Sequence, residues 1–243
     1  MKQRILAILL SLTMMFTLVP TAWAADEMQQ DDTEAQETET PAEPAMNGNC
    51  GAASSENSVK WALTKNNEDS SNPTYTLTIS GNGAMAGYTA NINNGKATQP
   101  WRASKTGVEI EKITKVVVSK GVTSIGAFAF NGLTAVSEYD IGADVSTISQ
   151  WALDTSSAKV FNLNGNTNFQ TDVDGVLFNK EGTTLIAYPG GSAVQDEYTV
   201  PSTVTAIEYG AFVGCPIKKL TIGNNVTEEL PQLVFQWRRT GRT

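Results

Sequence analysis

The chain has 243 residues, 25 acidic and 17 basic, with no histidine and two cysteines. Without imidazole there is no Ser-His-Asp or Cys-His relay, no His-liganded zinc and no His general base, and two cysteines cannot build a four-thiolate metal site. At 40% hydrophobic and 17% charged, with 20 glycines and 9 prolines, the composition suits a turn-rich, mainly β protein of one or two domains, and it implies no cofactor.

Residues 1–24 read as a secretory signal peptide. Lys2 and Arg4 precede an apolar run from Ile5 to Val19, and Ala22-Trp23-Ala24 supplies a small-x-small cleavage pattern. A membrane span needs about 20 apolar residues, so no stable span is expected after cleavage, and the mature chain should begin at Ala25 outside the cytoplasmic membrane. Export permits disulfides. Cys215, however, sits in an apolar repeat where a free thiol packs as a small hydrophobe, and whether Cys50 reaches it is left open.

Residues 25–49 hold eight carboxylates, no Lys or Arg, and no aromatic, Ile, Leu or Val. Such a segment has no apolar surface to offset the entropy of ordering and is expected to be a disordered acidic linker. From Cys50 onward the balance is 17 acidic to 15 basic residues. The low pI therefore belongs to the linker, and no basic stripe argues for nucleic acid.

Residues 50–112 show period-two alternation. Val59, Trp61 and Leu63 share one parity and Tyr75, Leu77 and Ile79 another, with the polar stretch Lys65–Pro73 between them and Gly81-Asn82-Gly83 after. Two half-buried strands joined by a loop are expected, forming an N-terminal β module. Trp61 falls in register with Val59 and Leu63, which argues for the buried face over a sugar-stacking platform with Trp101.

After Ile113 the sequence repeats. Val122-Thr-Ser-Ile125-Gly-Ala-Phe-Ala129-Phe130 recurs as Val145-Ser-Thr-Ile148-Ser-Gln-Trp-Ala152-Leu153 and as Val204-Thr-Ala-Ile207-Glu-Tyr-Gly-Ala211-Phe212. Apolar-x-apolar triplets accompany them: Val116/Val118, Tyr139/Ile141, Phe161/Leu163, Tyr198/Val200 and Leu220/Ile222, spaced by 23, 22, 37 and 22 residues. A period in the low twenties predicts a solenoid over residues 113–230, each coil burying its apolar face on its neighbours. The middle residues Val117, Asp140, Asn162, Thr199 and Thr221 should then form an outward row on a continuous sheet, the candidate ligand-binding surface.

The long interval holds an insertion at about 173–191. Val176/Phe178 and Leu185/Ala187 flank Asn179-Lys-Glu-Gly182, which reads as a β-hairpin standing on the coil. Gln170, Asp172, Asp174 and Glu181 mimic a calcium loop by spacing, but the first position is an amide and neither flank has helical periodicity. Asp172 and Asp174 are better explained as turn residues, and no metal ligand is assigned.

The repeats, with their Val-Thr-x-Ile-Gly-x-x-Ala-Phe core and the Gly214-Cys215 after Phe212, resemble the BspA-type leucine-rich repeats of bacterial cell-surface proteins. The segment Val173–Gly191 is similar to the insertion such proteins often carry, and Cys50-Gly51 through Pro100-Trp101 is similar to the module that often precedes their first repeat. Ser149 and Glu208 depart from the repeat glycine, Leu153 from phenylalanine, and Leu133 and Ser156 from cysteine; none of these positions is expected to touch a ligand. The resemblance implies a short leucine-rich-repeat solenoid with an N-terminal β-rich capping module and an inserted hairpin. It also implies a secreted or surface-displayed bacterial adhesion or protein-interaction module without catalytic activity, whose partners are host or bacterial surface proteins or glycans. Two other classes stand beside it. A carbohydrate-binding accessory domain requires an exposed Trp61, Trp101 or Trp151, and a carboxylate-pair glycosidase needs no histidine, although no pair of acids stands out.

At the C-terminus the repeat that begins at Val226-Thr227 calls for isoleucine at 229 and Ala-Phe at 233 and 234. The sequence has Glu229, Leu233 and Val234 instead. Residues 231–243 are expected to be an atypical, truncated tail, its open edge a place for self-association.

Overall fold

A computed structural model describes residues 46–67, 71–91, 96–155, 157–192 and 196–227. They all fall in the second of two units, Glu43–Thr243. The expected signal peptide, nearly all of the linker and the atypical tail at 231–243 lie outside the described residues.

The regular elements of the described residues are almost all short strands, joined by turns. β1 (Asn47–Asn49), β2 (Val59–Lys65) and β3 (Tyr75–Gly81) are antiparallel neighbours, with Trp61 opposite Ile79 and Leu63 opposite Leu77. Alternation drives their pairing: Val59, Trp61, Leu63, Leu77 and Ile79 are buried while Lys60 and Ser80 face solvent. β1 was expected to be linker. It carries no apolar side chain and hence no sequence signal; backbone pairing with β2 orders it, and Gly48 is needed because a Cβ there would stand 2.8 Å from the Trp61 indole nitrogen.

Next come β4 (Gly83–Ala84) and the antiparallel pair β5 (Ala90–Asn91) and β6 (Lys96–Ala97), then a single helical turn, α1 (Ala103–Thr106). The repeats begin with β7 (Ile113–Val118) and β8 (Val122–Ile125), followed by β9 (Glu138–Ile141), β10 (Thr147–Ile148) and β11 (Val160–Asn162). The coils of β7–β8 and β9–β10 each contribute one strand to each of two walls. The first wall is a six-stranded sheet ordered β1-β2-β3-β7-β9-β11, parallel from β3 onward, and the second is the parallel sheet β10-β8-β4. Val116, Tyr139 and Phe161 pair in register, as the triplet spacing requires.

The insertion is larger than a hairpin. β12 (Phe169–Thr171), β13 (Leu177–Asn179) and β14 (Thr184–Ala187) form an antiparallel meander, and β14 continues in parallel with β16 (Ala206–Ile207). It thus forms a four-stranded sheet of its own with β16, separate from the two walls. β15 (Glu197–Thr199) and β17 (Lys219–Thr221) pair only with each other among the described strands.

The meander also divides the interior. Phe169, Leu177 and Ala187 belong to the first core, with Trp61, Trp101, Phe130 and Tyr139, whereas Val176, Phe178, Leu185 and Tyr188 join Tyr198, Val204, Ile207 and Phe212 in a second. Each fully buried aliphatic or aromatic side chain contributes about 1.5–3 kcal/mol. The buried Asn166 side chain is fully engaged, whereas the buried Tyr88 hydroxyl and Trp101 indole nitrogen have no hydrogen-bond partner among the described residues. The Asn166 amide donates to the carbonyls of Gly142 and Val145, 2.7 Å each, while its oxygen accepts from the Asn168 N–H at 2.7 Å.

Candidate interaction surface

On the six-stranded sheet the residues between inward-facing positions point away from the core. Val117 lies opposite Asp140, and Asp140 opposite Asn162. Thr78 of β3 continues this row opposite Val117, and Ala62 of β2 continues it opposite Thr78. Thr199 and Thr221 are exposed, where Val117, Asp140 and Asn162 are half-buried, and they are mutually in register, but they belong to the separate two-stranded sheet. The five expected residues therefore form two groups and not one continuous row. The meander causes the break by occupying the interval between β11 and β15.

A second outward row, invisible to the triplet argument, runs beside the first: Thr76, Lys115, Glu138 and Val160. The two rows are tied together. The Lys115 ammonium lies 2.9 Å from both Glu138 and Asp140, and the Asn162 amide donates to the same two carboxylates at 2.7 Å each. Hydrogen bonds to Glu138 and then Asp140 raise the Lys115 pKa above its ordinary value. This network leaves Val160 as an apolar spot at the sheet's edge, 45% exposed.

Trp61 and Trp101 are core residues, 4% and 0% exposed. Trp101 packs edge-on against Trp61 at 6.3 Å and against Tyr88 at 5.4 Å. Neither can stack on a sugar, so of the tryptophans weighed for that role only Trp151, half-buried, meets solvent. Gln170 and the carboxylates that mimic a calcium loop serve the meander. Asp172 Oδ1 accepts the N–H groups of Asp174 at 3.0 Å and Val176 at 2.9 Å, and Gln170 donates to the Lys180 carbonyl at 2.8 Å. Cys50 and Cys215 are buried free thiols in different cores, each pushed up to about 12 by burial. No helix among the described residues is long and apolar enough to cross a membrane.

Residues 108–181 and 192–239 match the BspA type leucine-rich repeat region, in six copies. The chain belongs to this family. Two solved structures are similar to it. A leucine-rich repeat protein from Eubacterium ventriosum is 23% identical over 75% of this chain and 62% of its own, with a TM-score of 0.31. The pneumococcal vaccine antigen PcpA is 14% identical over 73% of this chain and 66% of its own, with a TM-score of 0.37. The chain thus spans less than two thirds of either. No curated protein matches it.

Proposed function

We propose that the mature chain acts outside the cytoplasmic membrane as a non-catalytic protein-interaction module of the adhesion type. In this reading it engages a surface protein of a host or of another bacterium through the outward face of the six-stranded sheet. The observation that carries the reading is the pre-set state of that face. Lys115, Glu138, Asp140 and Asn162 already hold one another, so docking a partner there immobilises few additional rotamers, and ordering costs are a main deduction from binding energy. Val117 and the edge residue Val160 supply apolar contact beside this polar network. The signal sequence and the family support the extracellular address. The same network disfavours carboxylate catalysis on this face, because Glu138 and Asp140 are engaged by a cation and an amide.

The test is a double substitution. Asp140→Lys with Asn162→Lys should abolish binding to a surface protein captured by cross-linking, while Thr199→Lys on the separate sheet should not. Retained binding in the double variant would remove the six-stranded face from consideration. N-terminal sequencing of exported material should find Ala25 first, and an intact Met1 would defeat the address.

A further inference from the structure

The strand β1 is the free end of the six-stranded sheet, and among the described residues no strand pairs with its far side. The Leu63 N–H bonds the Met46 carbonyl and the Cys50 N–H bonds the Val59 carbonyl, 2.8 Å each, so the backbone of Met46 and Cys50 is turned toward β2. In an antiparallel pair the bonded side alternates from residue to residue. The N–H and C=O groups of Asn47 and Asn49 therefore point away from the sheet, and both residues are exposed. Such a row of free donors and acceptors is a template for one more strand.

Two clefts flank this edge and share Asn49. One, of about 310 Å³, is lined by the apolar or aromatic Ala86, Tyr88 and Pro100 and by Glu56 and Asn57. The other, of about 300 Å³, is lined by Asn47, Lys60, Ala62 and Ser80; Lys60 stands in register between Asn49 and Ser80, and the small Ala62 opposite Asn47 leaves the space. Each cleft thus holds one charged group, and the two are of opposite sign. Lys115, Glu138 and Asp140 farther along the sheet neutralise one another, whereas neither Glu56 nor Lys60 makes an ion pair among the described residues.

We propose that the β1 edge with its two clefts binds an extended segment of a partner protein that carries a basic and an acidic side chain two positions apart. The segment joins the sheet as a further strand through the free backbone groups of Asn47 and Asn49, which supply affinity, while the clefts supply specificity. Its Lys or Arg lays an aliphatic stem on Ala86, Tyr88 and Pro100 and brings its charge to Glu56. Its Asp or Glu meets Lys60 and the Ser80 hydroxyl. The spacing follows from the shared Asn49, because neighbouring side chains on one face of a strand lie about 7 Å apart. The chemistry selects the class. A glycan or nucleic acid has no alternating N–H and C=O groups to match the edge, and the chain's own acidic segment, with eight carboxylates and no Lys or Arg in residues 25–45, has nothing to offer Glu56. The site lies at the opposite end of the sheet from β11 and does not depend on the sheet-face reading.

The experiment is fluorescence anisotropy of the mature chain with labelled, end-blocked threonine–valine peptides that carry Lys and Asp two positions apart, in either order, and a control with serine at both positions. One order should bind with a dissociation constant of about 1 mM or tighter, and the serine control at least about tenfold more weakly. Glu56→Gln and Lys60→Gln should each weaken binding at least about tenfold; both side chains are exposed, so neither change threatens the fold. Glu56→Lys combined with Lys60→Glu should exchange the preference between the two peptide orders. Asp140→Lys with Asn162→Lys on the sheet face should leave peptide binding unchanged, so failure here and failure of the sheet-face reading are separable. Binding of neither order, binding that survives both single substitutions, or an unchanged preference in the charge-exchanged variant would overturn the proposal. A dimer in light scattering that the peptide does not dissociate would also overturn it, by giving the edge to a second copy of the chain.

Discussion

Replacing Gly126 by alanine isolates the contact between the N-terminal strands and the first coil. The added Cβ would stand 2.0 Å from the Ala86 oxygen, 2.4 Å from its carbonyl carbon and 2.7 Å from the Gly87 nitrogen. All three are backbone atoms, so no side chain can swing away and the two chain segments must separate. Gly126 is not among the residues with positive φ, so the cost is steric and not conformational. Overpacking of this kind costs about 1–3 kcal/mol. Separation also strains the adjoining bonds from the Tyr88 N–H to the Ala127 carbonyl, 2.7 Å, and from the Met85 N–H to the Ser124 carbonyl, 3.2 Å; each contributes about 0.5–1.5 kcal/mol. The expected loss is about 2–5 kcal/mol, read as a lower urea midpoint at unchanged slope. For a body of this size each kcal/mol moves Tm by about 2–4 °C. Ser149→Ala, at the equivalent position of the next coil, should change stability by less than about 0.5 kcal/mol. If Gly126→Ala and Ser149→Ala melt together, the steric argument is wrong and the N-terminal strands are not seated as described.

Asn166→Ala removes two buried donors and leaves the Gly142 and Val145 carbonyls without them, so a loss of about 2–4 kcal/mol is expected in urea unfolding; less than about 1 kcal/mol would mean that water replaces the amide. Burial raises both thiols from an ordinary 9.0 to about 12. The unfolded chain therefore releases these protons first, and stability is full below the ordinary value and declines as pH rises toward 12. A Cys50→Ala, Cys215→Ala variant should show a flatter decline of Tm over that range, and an identical slope would assign the alkaline loss to other groups. Lys115→Ala should cost no more than about 1 kcal/mol, since its ion pairs are partly solvated; a larger loss in thermal melts would make the outward network structural.

The repeat was legible in the sequence because a solenoid writes its contacts locally. Each apolar triplet pairs with the next at nearly fixed offset, so Tyr139 opposite Val116 and Phe161 opposite Tyr139 follow from spacing alone. Parity likewise placed Trp61 inside. The turn at Asn179–Gly182 was readable because Asn and Gly mark it, and the Asn179 oxygen accepts the N–H groups of Thr183 and Thr184 at 2.9 Å each. What escaped was held by backbone or by distance. β1 has no side-chain pattern, and β12 at Phe169–Thr171 is too short to show alternation. The separation of β15 and β17 from the six-stranded sheet goes with the intervening meander, whose β14 pairs with β16 some 20 residues away, a contact that no local pattern encodes.

The differences from coil to coil were hidden for a related reason. A repeat motif is read by what recurs, whereas the supports of each coil lie in what does not. The position occupied by Phe128, Trp151 and Gly210 in successive copies of the motif, all with left-handed backbone at φ of 57°, 57° and 87°, shows this clearly. Such a backbone costs a bulky residue about 1–3 kcal/mol, which glycine avoids. In the first coil the conformation is held from outside: buried Gln99 donates to the Phe128 carbonyl at 2.6 Å, and Arg102 bonds Gln99 at 2.6 Å and the Asn131 carbonyl at 3.1 Å. In the second, the Trp151 N–H is held by Tyr209 of the third coil. The third coil uses Gly210, the residue the backbone favours, and the missing side chain there is what admits the Trp151 ring. Each coil's choice is thus fixed by its neighbour: a clamp from the N-terminal segment, a carbonyl from the next turn, a ring laid on a bare backbone. The backbone repeats while its supports do not, most plainly at the junction where a strained tryptophan meets the glycine that makes room for it.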